Sequence, residues 1–132
     1  MKIGELAHRT GLSMDTLRYY ERIGLLPRPP RAASGHREYD ASVLTWIEFL
    51  RRLKTTGMPI SGMLEYAQLR DRGPETGAAR RRLLEAHRDR VRAHVAELQS
   101  CLAVLDAKIA GYPGDAKVET NDDLSHADSD AL

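Results

Sequence analysis

Apolar positions in the first half of the chain recur at helical spacing and are interrupted at short intervals. Ile3, Leu6 and Ala7 follow a helical period, and Gly11 is placed to end that helix. Leu12 and Ser13 then make a tight turn, with Ser13 as N-cap of a second helix and Asp15 near its positive end. In that helix Leu17 and Tyr20 share the side suited to packing on Leu6. At about 100° per residue, Asp15, Arg18, Tyr19 and Arg22 fall together on the opposite side, with Thr16 nearer its edge. Ile23, Gly24, Leu25 and Leu26 end the helix, Pro27, Pro29 and Pro30 forbid its continuation, and Ser34-Gly35 is a turn signal. Leu25-Leu26 and Arg37-Glu38-Tyr39 are expected to pair as short strands around that turn, forming a wing beside the second helix.

Asp40 with Ser42 is expected to cap a third helix, whose buried stripe is Val43, Leu44, Ile47, Leu50 and Leu53. Trp46 and Phe49 stand among these as core or interface aromatics. That helix runs out at a second basic turn ending in Gly57-Met58-Pro59, and a short fourth helix over residues 61–70 closes at Gly73-Pro74. Residues 78–109 then predict the longest helix, about 48 Å at 1.5 Å per residue. Leu84, Val91, Leu98 and Leu105 recur every seven residues, a parallel stripe adds Val95, Leu102 and Ile109, and His87, His94 and Cys101 form a third row. Heptads sustained over this length predict a coiled coil, and a lone chain would leave the strip in water, so a homodimer is expected. Gly111 and Pro113-Gly114 break the helix. The remainder is acidic and without periodicity, and is expected to be disordered.

Charge sharpens this picture. The net charge of the 132 residues is only +1, but residues 110–132 hold six acids against Lys117 alone. Residues 1–109 therefore carry 19 basic and 13 acidic side chains, a net +6, which favours an anionic partner for the body. The loop after the second helix gathers Arg28, Arg31, His36 and Arg37 with only Glu38 of opposite sign nearby. Helix, glycine-containing turn, polar-faced second helix and basic wing have the spacing of a winged helix-turn-helix, in which charge neutralisation of phosphates supplies most of the affinity. The alternative for each part alone is an ordinary pair of amphipathic helices with a solvated basic loop.

Other chemistries find little support. One cysteine excludes an internal disulfide framework and a multi-cysteine zinc site. His87, His94 and Cys101 lie about 10 Å apart along one helix, too far for one ion to bridge all three in cis. No run of about 18 apolar residues exists, and the N-terminus lacks the apolar core of a signal peptide, so a cytoplasmic location and no membrane partner are expected. His8, His36, Asp40 and Glu48 offer no nucleophile–base spacing, and there is no glycine-rich phosphate loop. The chain is not expected to be an enzyme or to need a cofactor.

The strings IGELAHRTGLS, TLRYYERIGLL and SGHREYD, in this order and without gaps, resemble the N-terminal domain of the MerR family of bacterial transcriptional regulators. The likeness covers residues 1–72 and extends more loosely to the long helix. It implies a mainly α fold: a winged helix-turn-helix DNA-binding domain over residues 1–73, a coiled-coil dimerisation helix over 76–110, and a tail over 111–132. It implies double-stranded promoter DNA as partner, distortion of a promoter with unusual spacing, and RNA polymerase holoenzyme engaged indirectly through the DNA at the bacterial nucleoid. The second basic turn matches the family's second wing.

The residues expected at DNA are Lys2, Ser13, Thr16, Arg18, Tyr19, Arg22, His36, Arg37, Tyr39, Lys54 and Thr55. Those expected at the dimer seam are Leu84, Val91, Val95, Leu98, Leu102, Leu105 and Ile109. Neither place where the metal-sensing branch carries cysteines has one here, and residues 49–54, where several electrophile-responsive members carry one, have none. Cys101 is expected to be inert seam packing rather than a switch. The competing classes are an architectural DNA-bending protein, against which the heptad helix argues, and a protein–protein adaptor, which salt-sensitive duplex binding would exclude.

Overall fold

The computed structural model describes residues 1–29, 31–33 and 35–114. Pro30, Ser34 and residues 115–132, which make up most of the 111–132 tail expected to be disordered, lie outside the described residues. Among the described residues five α-helices follow in order: α1 (Ile3–Thr10), α2 (Met14–Arg22), α3 (Ser42–Thr55), α4 (Ile60–Asp71) and α5 (Gly77–Ala110), with a 3-10 turn at Pro74–Thr76. Internal packing divides the chain into Met1–Val91 and Arg92–Leu132.

The first unit is built on the leucines that the periodicity singled out. Leu6 and Leu17 are fully buried, Leu25 and Leu26 are 2% exposed, and Ile47, Leu50 and Leu53 from α3 complete the centre with Met63 and Ala67 from α4. Each such leucine, isoleucine or methionine contributes about 1.5–3 kcal/mol relative to staying in water. Gly11 ends α1 at φ 76°, and its N–H donates to the Ala7 carbonyl at 2.9 Å. A residue with a Cβ is strained there, which is why the turn into α2 falls at this glycine. Ser13 Oγ accepts from the Thr16 amide at 3.0 Å and caps α2 as expected. Asp40 Oδ1 accepts the Ser42 N–H at 3.0 Å ahead of α3.

Trp46 is a core residue, and its indole N–H donates to the Leu25 carbonyl at 2.9 Å, tying α3 to the segment that leaves α2. Its ring stacks on Tyr66 of α4 at 5.9 Å between centroids, with Phe49 tilted against both and the Arg70 guanidinium 4.4 Å above it. Within the same unit the beginning of α5 is covered by its own domain. Leu83 and Leu84 pack on the core, and His87 is buried with Nε2 2.8 Å from Thr56 Oγ1. Leu84, expected along the seam with a second chain, is thus engaged within one, as is His87 of the third row.

The described part of the second unit is the rest of α5 and residues 111–114, and none of these covers its apolar row. Val95, Leu98, Leu102, Leu105 and Ile109 are 45–67% exposed, at intervals of three and four residues. Val91, at the end of the first unit, is half-buried, while Cys101 is exposed along with that row.

The wing closes differently from the expected strand pairing. Among the described residues there is no strand, and the only bridge is between Arg31 and Arg37. Leu25 and Leu26 are occupied elsewhere, with both amides donating to the Tyr20 carbonyl and both side chains in the core. Burying two leucines against the end of α2 is worth more than pairing them at a ladder edge. The loop is therefore pinched farther along, where Ala32 N–H donates to the His36 carbonyl at 2.7 Å and Arg31 Nη1 to the Gly35 carbonyl at 2.8 Å.

Candidate nucleic-acid interface

The second helix of the helix-turn-helix is set by Ser13 and Leu17: the cap fixes where it starts, and the buried leucine fixes which face turns outward. Arg18 and Tyr19 then project into solvent, Tyr19 being 43% exposed, and the Arg22 guanidinium lies 5.6 Å from the Tyr19 ring. Thr16 is half-buried, and its hydroxyl accepts from Ser13 Oγ at 2.9 Å. Arg18 has only a loose pairing with Asp15, at 3.8 Å between side chains 56% and 97% exposed, so it is available to an outside acceptor.

Beside this face the chain forms a cleft of about 290 Å³. Lys2 and Ile3 from the start of α1, Arg18 and Glu21 from α2, and Arg31, Gly35, His36, Arg37 and Tyr39 from the wing loop line it. Five residues expected at DNA from sequence, Lys2, Arg18, His36, Arg37 and Tyr39, therefore meet around one opening although they are up to 37 positions apart. Arg31 joins them.

Tyr39 forms the floor of the cleft. Tyr39, expected at DNA, is only 2% exposed, and its hydroxyl donates to the Glu21 carboxylate. A side chain so covered is unavailable to a base or phosphate. Burial, and after it the hydrogen bond and charge of Glu21, push the Tyr39 hydroxyl up to about 12. The Glu21 side chain is itself 7% exposed and faces Arg37 Nε at 3.8 Å. Tyr39, Glu21 and Arg37 thus form a chain in which a buried carboxylate orients a half-buried guanidinium at the cleft wall. Beside it, the Met1 ammonium is 2.8 Å from Glu38, whose carboxyl its hydrogen bond and charge hold below the usual range, and donates to the Tyr39 carbonyl at 2.7 Å.

Glu21 was not singled out from sequence, because an acid in a DNA-facing helix reads as a mild liability. The signal available was its place between Tyr20 and Arg22, one turn after Leu17, where a carboxylate turns partly inward. Lys54 and Thr55, at the end of α3, are exposed but line a different part of the surface from the cleft. Ser13 is likewise exposed, with its hydroxyl engaged in capping.

The family model described as MerR family regulatory protein matches residues 2–39, and the one described as MerR, DNA binding matches residues 44–108. The regulator AdhR of Bacillus subtilis is 41% identical over 91 residues, which cover 69% of this chain and 65% of that protein. A MerR family transcriptional regulator from Listeria monocytogenes superimposes with a TM-score of 0.79 at 38% identity, over 85% of each chain. HiNmlR, a MerR family regulator lacking the sensor domain and solved bound to promoter DNA, superimposes with a TM-score of 0.74 at 33% identity, over 83% of this chain and 86% of that one.

Proposed function

This chain belongs to the MerR family of DNA-binding transcriptional regulators, and we propose that it works as a homodimer whose two copies of α2 and the wing read two elements of one promoter. The observation that carries the reading is the convergence of Lys2, Arg18, Arg31, His36 and Arg37 on one cleft beside the exposed face of α2. In this arrangement Arg18 and Tyr19 address base edges, with Thr16 at the margin. Arg22, Arg31, His36, Arg37 and Lys2 meet phosphates on one side, and Lys54 and Thr55 meet them from the second wing. Ser13 acts through the start of α2, and Tyr39 through Glu21 and Arg37.

The uncovered row Val95, Leu98, Leu102, Leu105 and Ile109 supplies the seam with a second copy, since its threes and fours are the spacing that knobs-into-holes packing needs. Two reading heads held apart in this way can bend a promoter whose elements are misphased, at a deformation cost on the order of 1–6 kcal/mol offset by wing and backbone contacts. RNA polymerase is then engaged through the reshaped DNA, in the cytoplasm at the nucleoid. HiNmlR, solved on promoter DNA, supports the mode of docking. An architectural DNA-bending role is the second reading, and the same apolar row argues against it.

The test is to select duplexes from genomic fragments with the purified protein and sequence them. A two-fold repeat within a promoter of abnormal spacing is the expected result. Retention of unrelated sequences with equal affinity would replace the regulator reading by the architectural one.

A further inference from the structure

A second, smaller cavity of about 140 Å³ opens behind the reading face, bounded by the turn between α1 and α2, by α2, by α3 and by α4. Its walls are apolar: Leu25, Ile47, Leu50 and Met63 are all buried residues, and Leu12 narrows the mouth. A void of this size holds one aromatic ring or a chain of about six carbons. The charged groups that line it are Arg51 and Lys54, and no carboxylate does. Arg51 is fixed there, donating to the Thr10 carbonyl and standing 3.9 Å from Glu48. The Lys54 carbonyl accepts from Gly57 N–H at 3.0 Å, while its ammonium makes no hydrogen bond or ion pair among the described residues.

We propose that this cavity binds a small amphipathic carboxylate, with its ring or short chain among Leu25, Ile47, Leu50 and Met63 and its head group on Lys54 and Arg51. The apolar walls select against inorganic anions, and the paired cations select against neutral molecules of the same shape. The occupant touches α2, α3 and α4 together, the three elements that fix the reading helix relative to the second basic turn. A bound carboxylate also neutralises Lys54. Resting on the proposed function, this lowers affinity for DNA by withdrawing one phosphate contact per protomer.

Binding is measured on the DNA-free protein, so the outcome is independent of whether the promoter reading holds. Benzoate and hexanoate are titrated into the full chain and followed by amide chemical shifts, with benzyl alcohol, hexanol and acetate as comparisons. For ligands of eight or nine non-hydrogen atoms, saturation on the order of 1 mM is expected. Shifts should cluster on Leu12, Leu25, Leu50, Lys54 and Met63, and the alcohols should bind about threefold to fivefold more weakly.

Lys54→Met, which keeps the apolar stem, should erase the preference for the acid over the alcohol. Leu12→Phe, which narrows the mouth, should abolish binding while the thermal unfolding curve shows a folded protein; should it not fold, Lys54→Met decides alone. The proposal is overturned if no residue of the cavity shifts up to 20-fold above the expected saturation point. It is equally overturned if acetate shifts the same residues as strongly as hexanoate, or if Lys54→Met leaves the acid preference intact.

Discussion

Replacing Tyr39 by Phe isolates the buried link between the core and the cleft. The substitution keeps the ring, which is 2% exposed, and removes only the hydroxyl that donates to Glu21. The carboxylate it leaves behind is 7% exposed and retains Arg37 at 3.8 Å, so it loses one of two partners without gaining water. A hydrogen bond to a charged group contributes about 1.5–3 kcal/mol, and about 2 kcal/mol is expected to be lost here. For a folded unit of this size that corresponds to a fall in Tm of about 8–16 °C.

The pH dependence follows from the same bond. The Tyr39 hydroxyl is raised to about 12 by burial and by Glu21, against about 10 in an unfolded chain. A group with a raised folded value contributes stability that is complete below pH 10 and disappears as the pH climbs through 12. Urea unfolding of the wild type should therefore weaken across that window, and the part of the loss due to this residue should vanish in Tyr39→Phe. In a spectrophotometric titration, one of the five tyrosines should ionise last, and that step should be missing from the variant. Equal stability of the two proteins at pH 7, with the same alkaline decline, would refute the role given to this bond.

Arg18→Ala is expected to cost about 1–3 kcal/mol on the preferred duplex and to relax discrimination there. Arg37→Ala should weaken all duplexes alike and reduce the salt slope by about 1 for each protomer, about 2 for the dimer; fluorescence anisotropy at several salt concentrations separates the two. Leu102→Asp should raise the dimer dissociation constant about a hundredfold or more, from roughly 1.5 kcal/mol of lost burial in each protomer, and an unchanged constant in sedimentation equilibrium would remove the seam. Trp46→Phe leaves the buried Leu25 carbonyl without its indole donor and should destabilise the first unit by about 1–3 kcal/mol in urea. Ser13→Ala should cost about 1 kcal/mol by the same measurement, through the Thr16 amide it leaves uncapped.

The helices were legible because each has local punctuation. Gly11, Ser13 and Asp40 act within a few residues of themselves, and the leucine spacing identifies the buried face without reference to the rest of the chain. The wing was not legible in the same way. Whether Leu25 and Leu26 pair as a strand or enter the core depends on Trp46, 21 and 20 positions away, and no periodicity reports such a competition.

The same limit explains Tyr39. Its placement next to Arg37 reads as exposed, yet it is a neighbour of Glu21 only after the loop has closed. Leu84 and His87 share the heptad register with Leu98 and Cys101, but the α3–α4 turn and the core cover the first pair alone. Register can predict that a face is apolar; it cannot say which other element covers it.

The shortness of α2 carries a final consequence. Nine residues span about 13.5 Å, enough to address on the order of four base pairs. A word of that length recurs by chance about once in 256 positions, and a genome would drown it in copies. Doubling the word through a second identical head extends the interval to about 65,000 positions. Selectivity in a molecule with so small a probe is therefore set by the separation of two heads as much as by the letters that either one reads.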